Sequence, residues 1–279
     1  MTDIEHGASE PIAILGAGNL GTAIARGIVR SGLRTPEELR LTRRHGEAMS
    51  DLAAQGYSTG TDNLAAVSDS RIVVVAVLPQ QVIPLLKSIA SGLDAERHVL
   101  VSTVTGTSIE AIRRHVGPAL PVVRAMPNLG IQTLNSMTCL ALDEVSEPSM
   151  AEVERLFDAL GETIRIEEEN MAAATALCAC GIAFFLRAIR AAAQGGNEIG
   201  FHADEAIRMA AQTAKGAAEL LLANRSHPET EIDQVTTPNG CTIAGLNEME
   251  NRGFSSALIG GMVVSARRAV QLLPATSSE

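Results

Sequence analysis

Residues 12–21 read Ile12-Ala13-Ile14-Leu15-Gly16-Ala17-Gly18-Asn19-Leu20-Gly21. An apolar run leads into three glycines with G-x-G-x-x-G spacing, and the residues after Gly21 have the apolar spacing of a helix. In such a turn the first glycine permits the bend, the second lets a pyrophosphate approach the backbone, and the third lets helix and strand pack closely. The stretch therefore predicts a dinucleotide-binding turn, with Gly16, Gly18, Asn19, Leu20 and Gly21 at the cofactor.

Short apolar runs alternate with helical stretches through the first half of the chain. The predicted strands are Ile12–Leu15, Leu39–Thr42, Ile72–Val77, Val99–Thr103 and Val122–Met126, with Met137–Leu142 and Thr163–Ile166 closing the sheet around a helix from about Ser149 to Leu160. This alternation is typical of βαβ units with a parallel sheet, and strands that are apolar throughout indicate helices on both faces. We expect a Rossmann-type, doubly wound α/β domain.

The pattern changes after Glu167, because Ala, Leu and Met then recur at helical spacing almost to the end. We expect domains at 1–167 and 168–279, the second all-helical, with Glu167–Asn170 capping its first helix. The apolar stretch Met171–Leu186 is short for a bilayer span, so we interpret it as a buried helix and expect no membrane contact. A helix without a polar face must be covered on all sides, which predicts a subunit partner and a dimerisation role for this domain.

Composition excludes several classes of function. The chain has 22 basic and 32 acidic residues, one Tyr, five Phe and no Trp, which disfavours binding to nucleic acid. Its four cysteines and six histidines have no metal-ligand spacing, so we expect no metal site. The N-terminal residues lack a secretory pattern, and we expect a cytoplasmic protein with reduced thiols.

The end of the second predicted strand bears on the choice of cofactor. Thr42, Arg43 and Arg44 follow it, where a protein that binds NAD usually presents an acidic residue. A hydroxyl and two guanidinium groups can hold a 2′-phosphate, which favours NADPH and leaves NADH as the weaker alternative; an arginine there can also simply point to solvent. Asn63 is a candidate for the adenosine side, although an Asx helix cap at Asp62 or Asn63 explains that segment equally well.

Two further strand ends point to the nicotinamide half of the cofactor. One strand ends as Val75-Ala76-Val77-Leu78-Pro79, and a later strand ends as Arg124-Ala125-Met126-Pro127-Asn128. Ligands of open α/β sheets collect at the carboxyl ends of parallel strands, so we expect Ala76, Val77, Leu78, Pro79 and Asn128 to border the cofactor. The prolines also have a purely structural interpretation as strand terminators.

The helical half carries an unusual turn, Thr237-Pro238-Asn239-Gly240-Cys241-Thr242. Asn239 and Gly240 can adopt positive φ, and the helix that follows begins with amides that lack partners. Such a turn can hold a carboxylate, with the Thr242 hydroxyl beside it. A capped helix start without any ligand is the alternative.

These motifs together resemble the pyrroline-5-carboxylate reductase family over nearly the whole chain. The resemblance rests on the Gly16 fingerprint, Met126-Pro127-Asn128, the Gln212-Thr213 helix, His227-Pro228, the block Val235–Leu246, and Glu250-Asn251-Arg252-Gly253-Phe254. It implies NADPH-dependent reduction of the C=N bond of 1-pyrroline-5-carboxylate to L-proline, the last step of proline biosynthesis. It also implies that Thr242 is the catalytic residue, hydrogen-bonded to the substrate ring nitrogen, and that Asn239, Gly240, Cys241 and Thr242 bind a small cyclic imine acid. The helical domains of the family interlock into dimers and often larger rings.

The chain departs from the family at several positions. Leu78 stands where the family usually has lysine, Cys178-Ala179-Cys180-Gly181-Ile182-Ala183 replaces Ser-Gly-Ser-Gly-Pro-Ala, and Asn239 and Cys241 replace glycine and threonine. Cys178 and Cys180, two apart on a helix, point away from each other and are interpreted as small core residues. Two alternatives therefore stay open: a reductase of a different cyclic imine acid, and a non-catalytic NADP(H)-binding sensor.

Overall fold

A computed structural model describes residues 10–271. These residues form two compact units. The first contains the chain up to Cys180 together with the residues from Ser265 onward, and the second is Gly181–Val264. The domain boundary expected at residue 167 stays a prediction.

The first unit is built on a sheet that has eight strands among the described residues. They are β1 (Ile12–Leu15), β2 (Leu39–Thr42), β3 (Ser58–Gly60), β4 (Ile72–Val75), β5 (Val99–Ser102), β6 (Val122–Met126), β7 (Ser136–Ala141) and β8 (Gly161–Arg165). Their order is β3-β2-β1-β4-β5-β6-β7-β8, and each neighbouring pair is parallel except β6 and β7. The Rossmann-type, doubly wound sheet is therefore confirmed.

Helices cover both faces of this sheet, as the apolar strands predict. They are α1 (Asn19–Arg30), α2 (Ser50–Ala54), α3 (Asn63–Ser68), α4 (Pro79–Ile89), α5 (Ile109–Val116) and α6 (Glu147–Asp158). Ile12 and Ile14 of β1 pack in one core cluster with residues of α1 and α6, whereas Ala13 and Leu15 pack in another with residues of α3, α4 and α5. Alternate side chains of a strand point to opposite faces, so β1 contributes to two cores.

The sequence did not specify the direction of β7, which runs antiparallel to β6. Only residues 127–135 join β6 to β7, and they form a short 3₁₀ turn at Leu129–Thr133. A parallel return needs a crossover of about a dozen residues or more, so β7 runs antiparallel to β6. The longer connection through α6 then lets β8 run parallel to β7.

The start of the helical region also differs from expectation. Glu168–Asn170 form a 3₁₀ turn and the Asn170 side chain caps no amide, because α7 (Met171–Ala174) continues directly from the turn. Thr175–Cys180 then form a π-helical segment, which runs into α8 (Gly181–Glu198). The expected single α-helix is thus interrupted by a wider turn.

This helix is only partly buried in the single chain, and its expected burial includes a subunit partner. Leu177, Phe185 and Leu186 are 57–60% exposed. The continuous helix Glu168–Glu198 is long and apolar enough to cross a membrane by length and composition, and only 22% of its most apolar window is buried. Covering this face requires something beyond the single chain.

The second unit is all-helical over its described residues, as expected. It contains α8, α9 (Ala203–Asn224), α10 (Pro228–Gln234) and α11 (Cys241–Asn251), and α12 (Phe254–Gln271) begins in it. The helices α8 and α9 approach closely at Gly196, where a Cβ atom would lie 3.0 Å from the Cβ of Ala206.

Candidate cofactor and substrate site

Each of the three glycines after β1 is glycine for a different structural reason. Gly16 has φ +105°, and a Cβ there would lie 2.6 Å from the carbonyl oxygen of Ala76. A Cβ on Gly21 would lie 2.3 Å from the carbonyl oxygen of Gly16, so this glycine brings α1 against the turn. A Cβ on Gly18 would meet no atom within 4 Å. The backbone of Gly18 is therefore open to a ligand, as the motif predicts.

The turn places the start of α1 beside this open space. The amides of Gly16 and Ala17 donate to the carbonyl oxygen of Thr42 at 3.0 and 2.8 Å, which fixes the turn to the end of β2. Gly18 is the N-cap of α1 and contributes no side chain, so the first amides of the helix, from Asn19 and Leu20 onward, can receive a phosphate.

Thr42 does not face this space. Its side chain is 2% exposed, and its hydroxyl donates to Oδ1 of Asn63 at 2.6 Å. The expectation that Thr42 itself touches a 2′-phosphate is not met, because the hydroxyl is used within the chain. Asp62, and not Asn63, caps α3 by accepting from the amides of Leu64 and Ala65. Asn63 is left half-buried beside β2, held by Thr42.

Arg43 and Arg44 are exposed at the end of β2, where the sequence predicts a phosphate site. Nη1 of Arg43 is 3.4 Å from the carbonyl oxygen of Ala17, next to the glycine turn. A groove of about 720 Å³ runs along this side of α1, and its lining includes Gly18, Asn19, Arg26 and Arg43. Sequence reasoning missed Arg26, although its place seven residues after Asn19 puts both on one face of α1.

Ala76 and Val77, predicted as the last residues of a strand, follow the end of β4 in the structure. The amide of Ala76 donates to Leu15 at 2.9 Å, which holds the strand end beside the glycine turn. Pro79 begins α4 after Val77 and Leu78, and Leu78 is 62% exposed. The turn after the neighbouring strand β5 contains Thr107, whose buried hydroxyl has no hydrogen-bond partner among the described residues. The loops after β4 and β5 thus contain an exposed apolar residue, Leu78, and a buried hydroxyl without a partner, that of Thr107.

Asn128 has its side chain committed within the chain. Its Oδ1 accepts from the amide of Gly130 at 2.8 Å, and its Nδ2 donates to the carbonyl oxygen of Cys178 at 3.2 Å. The residue therefore ties the end of β6 to the π-helical segment. An amide side chain in this arrangement positions the backbone at the end of β6, and the expectation that Asn128 borders the cofactor stays a prediction.

Sequence reasoning assigned Glu168 to a helix start and missed its partners. Its Oε1 accepts from Nη1 of Arg124 at 3.1 Å and from the amide of Ile109, the first residue of α5, at 2.7 Å. Burial lowers the pKa of Arg124, and the hydrogen bond and charge of Glu168 oppose this effect. A buried arginine in the middle of an apolar strand was the signal that an acidic partner had to exist.

The turn of the second unit has the expected shape with one correction. Asn239 has φ +59°, but Gly240 has φ −74° and is not in the positive-φ region. Gly240 is required for space, because a Cβ there would lie 2.6 Å from Oγ1 of Thr237. It is the N-cap of α11, which begins at Cys241 without a side-chain cap. Cys241 is exposed and Thr242 is half-buried beside these free amides, an arrangement that can bind a carboxylate.

The first unit contains a dinucleotide turn with adjacent arginines, and the second contains a turn with free amides and a hydroxyl that can bind an anion. No group of three or more His, Cys, Asp or Glu residues in the described range 10–271 could hold a metal ion. The fold and the glycine turn define a Rossmann-type oxidoreductase that takes a nicotinamide dinucleotide. Residues 11–106 match a family model described as NADP oxidoreductase, coenzyme F420-dependent, and residues 168–272 match one described as pyrroline-5-carboxylate reductase dimerisation.

Named relatives show which family of nicotinamide-dependent oxidoreductases the chain resembles. Pyrroline-5-carboxylate reductase 1 of Dictyostelium discoideum is 52% identical over 94% of this chain, which spans 49% of that protein's length. Pyrroline-5-carboxylate reductase 2 of the same organism is 50% identical over 96% of this chain and 94% of its own. The chain belongs to the pyrroline-5-carboxylate reductase family.

Solved structures agree on the fold. The pyrroline-5-carboxylate reductase of Streptococcus pyogenes is 27% identical, with a TM-score of 0.83 over 94% of this chain and 99% of its own. The NADP-bound pyrroline carboxylate reductase of Plasmodium falciparum is 21% identical, with a TM-score of 0.86 over 94% of this chain and 98% of its own.

Proposed function

We propose that this protein reduces the C=N bond of 1-pyrroline-5-carboxylate to L-proline with NADPH as the reductant. The observation that carries this proposal is the open backbone at Gly18, beside exposed Arg43 and Arg44, in a chain that is 50% identical to a named reductase over 94% of that enzyme's length.

NADPH fits the residues at the end of β2. The open space at Gly18 accommodates a pyrophosphate at the start of α1, and Arg43 and Arg44 supply the positive charge that a 2′-phosphate requires. Asn63, oriented by Thr42, faces the adenosine side. Ala76, Val77, Leu78 and Pro79 border the nicotinamide at the carboxyl edge of the sheet.

The bound nicotinamide supplies the hydride for the imine carbon. The residues of the second unit hold the substrate. The amides at the start of α11, from Cys241 and Thr242 onward, bind its carboxylate. Asn239 and Gly240 set the direction of the turn, and the amide of Gly240 donates to the carbonyl oxygen of Thr237 at 2.9 Å. The Thr242 hydroxyl donates a hydrogen bond to the ring nitrogen and helps to place its proton. The reaction needs no other acid or base in this scheme, so positioning supplies most of the catalysis.

The second half of the chain carries the family's dimerisation domain, and we propose a homodimer whose helical domains interlock, with larger assemblies built from it. The apolar face at Leu177, Phe185 and Leu186, exposed in the single chain, would lie between subunits. This assembly, together with the small-molecule substrate, favours a cytoplasmic enzyme.

A second candidate is a reductase of a different cyclic imine acid. It is favoured by the departures from the family sequence at Leu78, Asn239 and the Cys178–Ala183 segment. NADPH consumption measured with 1-pyrroline-5-carboxylate, with six-membered piperideine carboxylates and with no imine separates the candidates. Turnover with the five-membered ring, and proline as product, supports the proposal. Turnover with only the six-membered rings selects the alternative, and NADPH binding without any turnover selects a sensor.

Thr242→Ala tests the assigned catalytic role. Loss of a hydrogen bond made to the reacting nitrogen should lower kcat by about 10- to 100-fold, while the Kd for NADPH stays within about twofold. Thr242→Ser keeps the hydroxyl and is the matched control, expected to retain most of the turnover. Equal losses of turnover and NADPH affinity in Thr242→Ala would contradict the role.

A further inference from the structure

Two thiols of the first unit lie in contact and have no role in the proposed reaction. Sγ of Cys139 and Sγ of Cys178 are 3.6 Å apart. Cys139 is buried on β7, and Cys178 is half-buried in the π-helical segment. The two residues are 39 positions apart in the sequence, so no local spacing pattern announces the pair.

The surroundings hold one thiol firmly and leave the other more freedom. Cys139 is paired within the sheet, opposite Met126 on β6 and Ile164 on β8. Cys178 belongs to a helical turn with irregular, widened hydrogen bonding, a geometry found frequently at functional sites. A disulfide needs the sulfurs to approach to about 2.05 Å, and a small adjustment of the π-helical segment can supply that approach.

The pair divides the chemical roles between its members. The hydrogen bond with Cys178, together with burial, raises the pKa of the Cys139 thiol. The hydrogen bond with Cys139 lowers the pKa of Cys178, against a smaller opposing effect of burial. The thiolate is the nucleophilic form of cysteine, so the lowered pKa makes Cys178 the more reactive of the two thiols.

We propose that Cys139 and Cys178 are a redox-active dithiol, which hydrogen peroxide converts to an intramolecular disulfide that fixes the π-helical segment to β7 and lowers turnover. The carbonyl oxygen of Cys178 accepts from Nδ2 of Asn128, which lies at the strand end proposed to border the nicotinamide. A disulfide at Cys178 that displaced this carbonyl would therefore also displace Asn128. This effect on turnover rests on the proposed function, whereas disulfide formation does not.

The oxidation balances in two steps. The Cys178 thiolate attacks one peroxide oxygen, an S–O bond forms as the O–O bond breaks, and hydroxide leaves to give a sulfenic acid on Cys178. The Cys139 sulfur then attacks the Cys178 sulfur, and the departing hydroxide takes the Cys139 proton as water. Overall, two thiols and one hydrogen peroxide, after proton balance, give one disulfide and two water molecules. A dithiol reductant reverses the reaction, as expected for a regulatory bond in a reducing compartment.

The test uses the full-length protein, treated with stoichiometric hydrogen peroxide, digested and mapped by mass spectrometry. Turnover is measured in parallel before oxidation, after oxidation and after dithiothreitol. Cys178→Ser removes the nucleophile. Cys180→Ser is the matched control, because Cys180 lies two positions along the same helical segment and is likewise half-buried.

The expected result is a Cys139–Cys178 crosslinked peptide in wild type and Cys180→Ser, with turnover that falls at least about fivefold and recovers with dithiothreitol. Cys178→Ser should give no crosslink, and its turnover, whatever its starting value, should not fall on treatment with peroxide. Absence of this crosslink, or oxidation of Cys178 to sulfinic acid with Cys139 still reduced, would overturn the proposal. A mapped crosslink with unchanged turnover would overturn its inhibitory part. If the reduced protein turned over no pyrroline-5-carboxylate, the proposed function would fail, and the peptide map would still decide on the dithiol.

Discussion

At the scale of single residues, two glycines of the turn have different roles: Gly18 leaves room for a ligand, and Gly21 allows close packing. Gly18 and Gly21 lie three residues apart, but only Gly21 is needed for packing, because a Cβ there would lie 2.3 Å from the carbonyl oxygen of Gly16. A methyl group at Gly18 meets no protein atom within 4 Å and would occupy the space proposed for the pyrophosphate.

We therefore predict that Gly18→Ala raises the Kd for NADPH at least about tenfold, while the free energy of unfolding falls by less than about 1 kcal/mol. Gly21→Ala should instead destabilise the fold by about 3 kcal/mol. Fluorescence titration with NADPH and chemical denaturation of both variants provide the measurements. Tight NADPH binding by Gly18→Ala would place the pyrophosphate elsewhere.

The exposed arginines after β2 should determine which dinucleotide binds. Each charge-assisted hydrogen bond to a 2′-phosphate contributes about 1.5–3 kcal/mol, so Arg43→Gln with Arg44→Gln should weaken NADPH binding by about 10- to 100-fold or more. NADH lacks that phosphate, and its Kd should change little. Isothermal titration of the double variant with both nucleotides checks this. A parallel loss of NADH affinity would show that the arginines serve another part of the cofactor.

The sequence predicted this site only in part, because local motifs reveal some of its residues and long-range contacts determine the others. The roles of Gly16, Gly18 and Gly21 follow from one local motif, and the structure bears out their geometry. The orientation of Thr42 could not be read in the same way, because it depends on Asn63, a residue 21 positions further along the chain. The Cys139–Cys178 contact was hidden for the same reason, since it joins two elements that only the tertiary fold brings together.

At the scale of elements, one carboxylate links three of them. Glu168 joins the start of the helical region to Arg124 in β6 and to the first amide of α5. The Arg124 side chain is 8% exposed, so removal of its partner would leave a buried charge without compensation.

We predict that Glu168→Ala lowers the free energy of unfolding by about 3 kcal/mol, whereas Glu169→Ala, at the exposed neighbouring position, changes it by less than about 0.5 kcal/mol. Urea denaturation of the two variants, followed by circular dichroism, makes the comparison. Similar stabilities for the two would mean that water replaces the Glu168 carboxylate at Arg124.

The element pattern was the most predictable part of the fold. The strands β1, β2, β4, β5 and β6 were found within two residues, because each is an apolar run between helices. The direction of β7 was not foreseen, since it follows from the length of a connection and not from the residues of the strand. The π-helical segment has no sequence signature that separates it from an α-helix of the same apolar residues.

At the scale of the whole molecule, the single chain leaves an apolar face open. Phe185 and Leu186 are more than half exposed on α8, within the region that matches the family's dimerisation model. Burial of a Phe or Leu side chain contributes about 1.5–3 kcal/mol, so a second copy of the chain would gain substantially by covering them.

We predict that Phe185→Glu with Leu186→Glu shifts the protein from dimer or larger assembly toward monomer. Val145→Glu, at an exposed apolar position of the first unit, is the control and should leave the assembly unchanged. Sedimentation velocity at several concentrations measures the distribution. A wild-type protein that sediments as a monomer, or a double variant that still assembles, would refute the proposed interface.

Transfer of isotope from cofactor to product tests the central claim most directly. NADPH carrying two deuterium atoms at C4 of the nicotinamide is incubated with the protein and 1-pyrroline-5-carboxylate, and the product is analysed by NMR and mass spectrometry. The account predicts proline with a single deuterium on the δ-carbon, the carbon that was double-bonded to nitrogen. Proline without deuterium, or no proline from protein that binds NADPH, would contradict it.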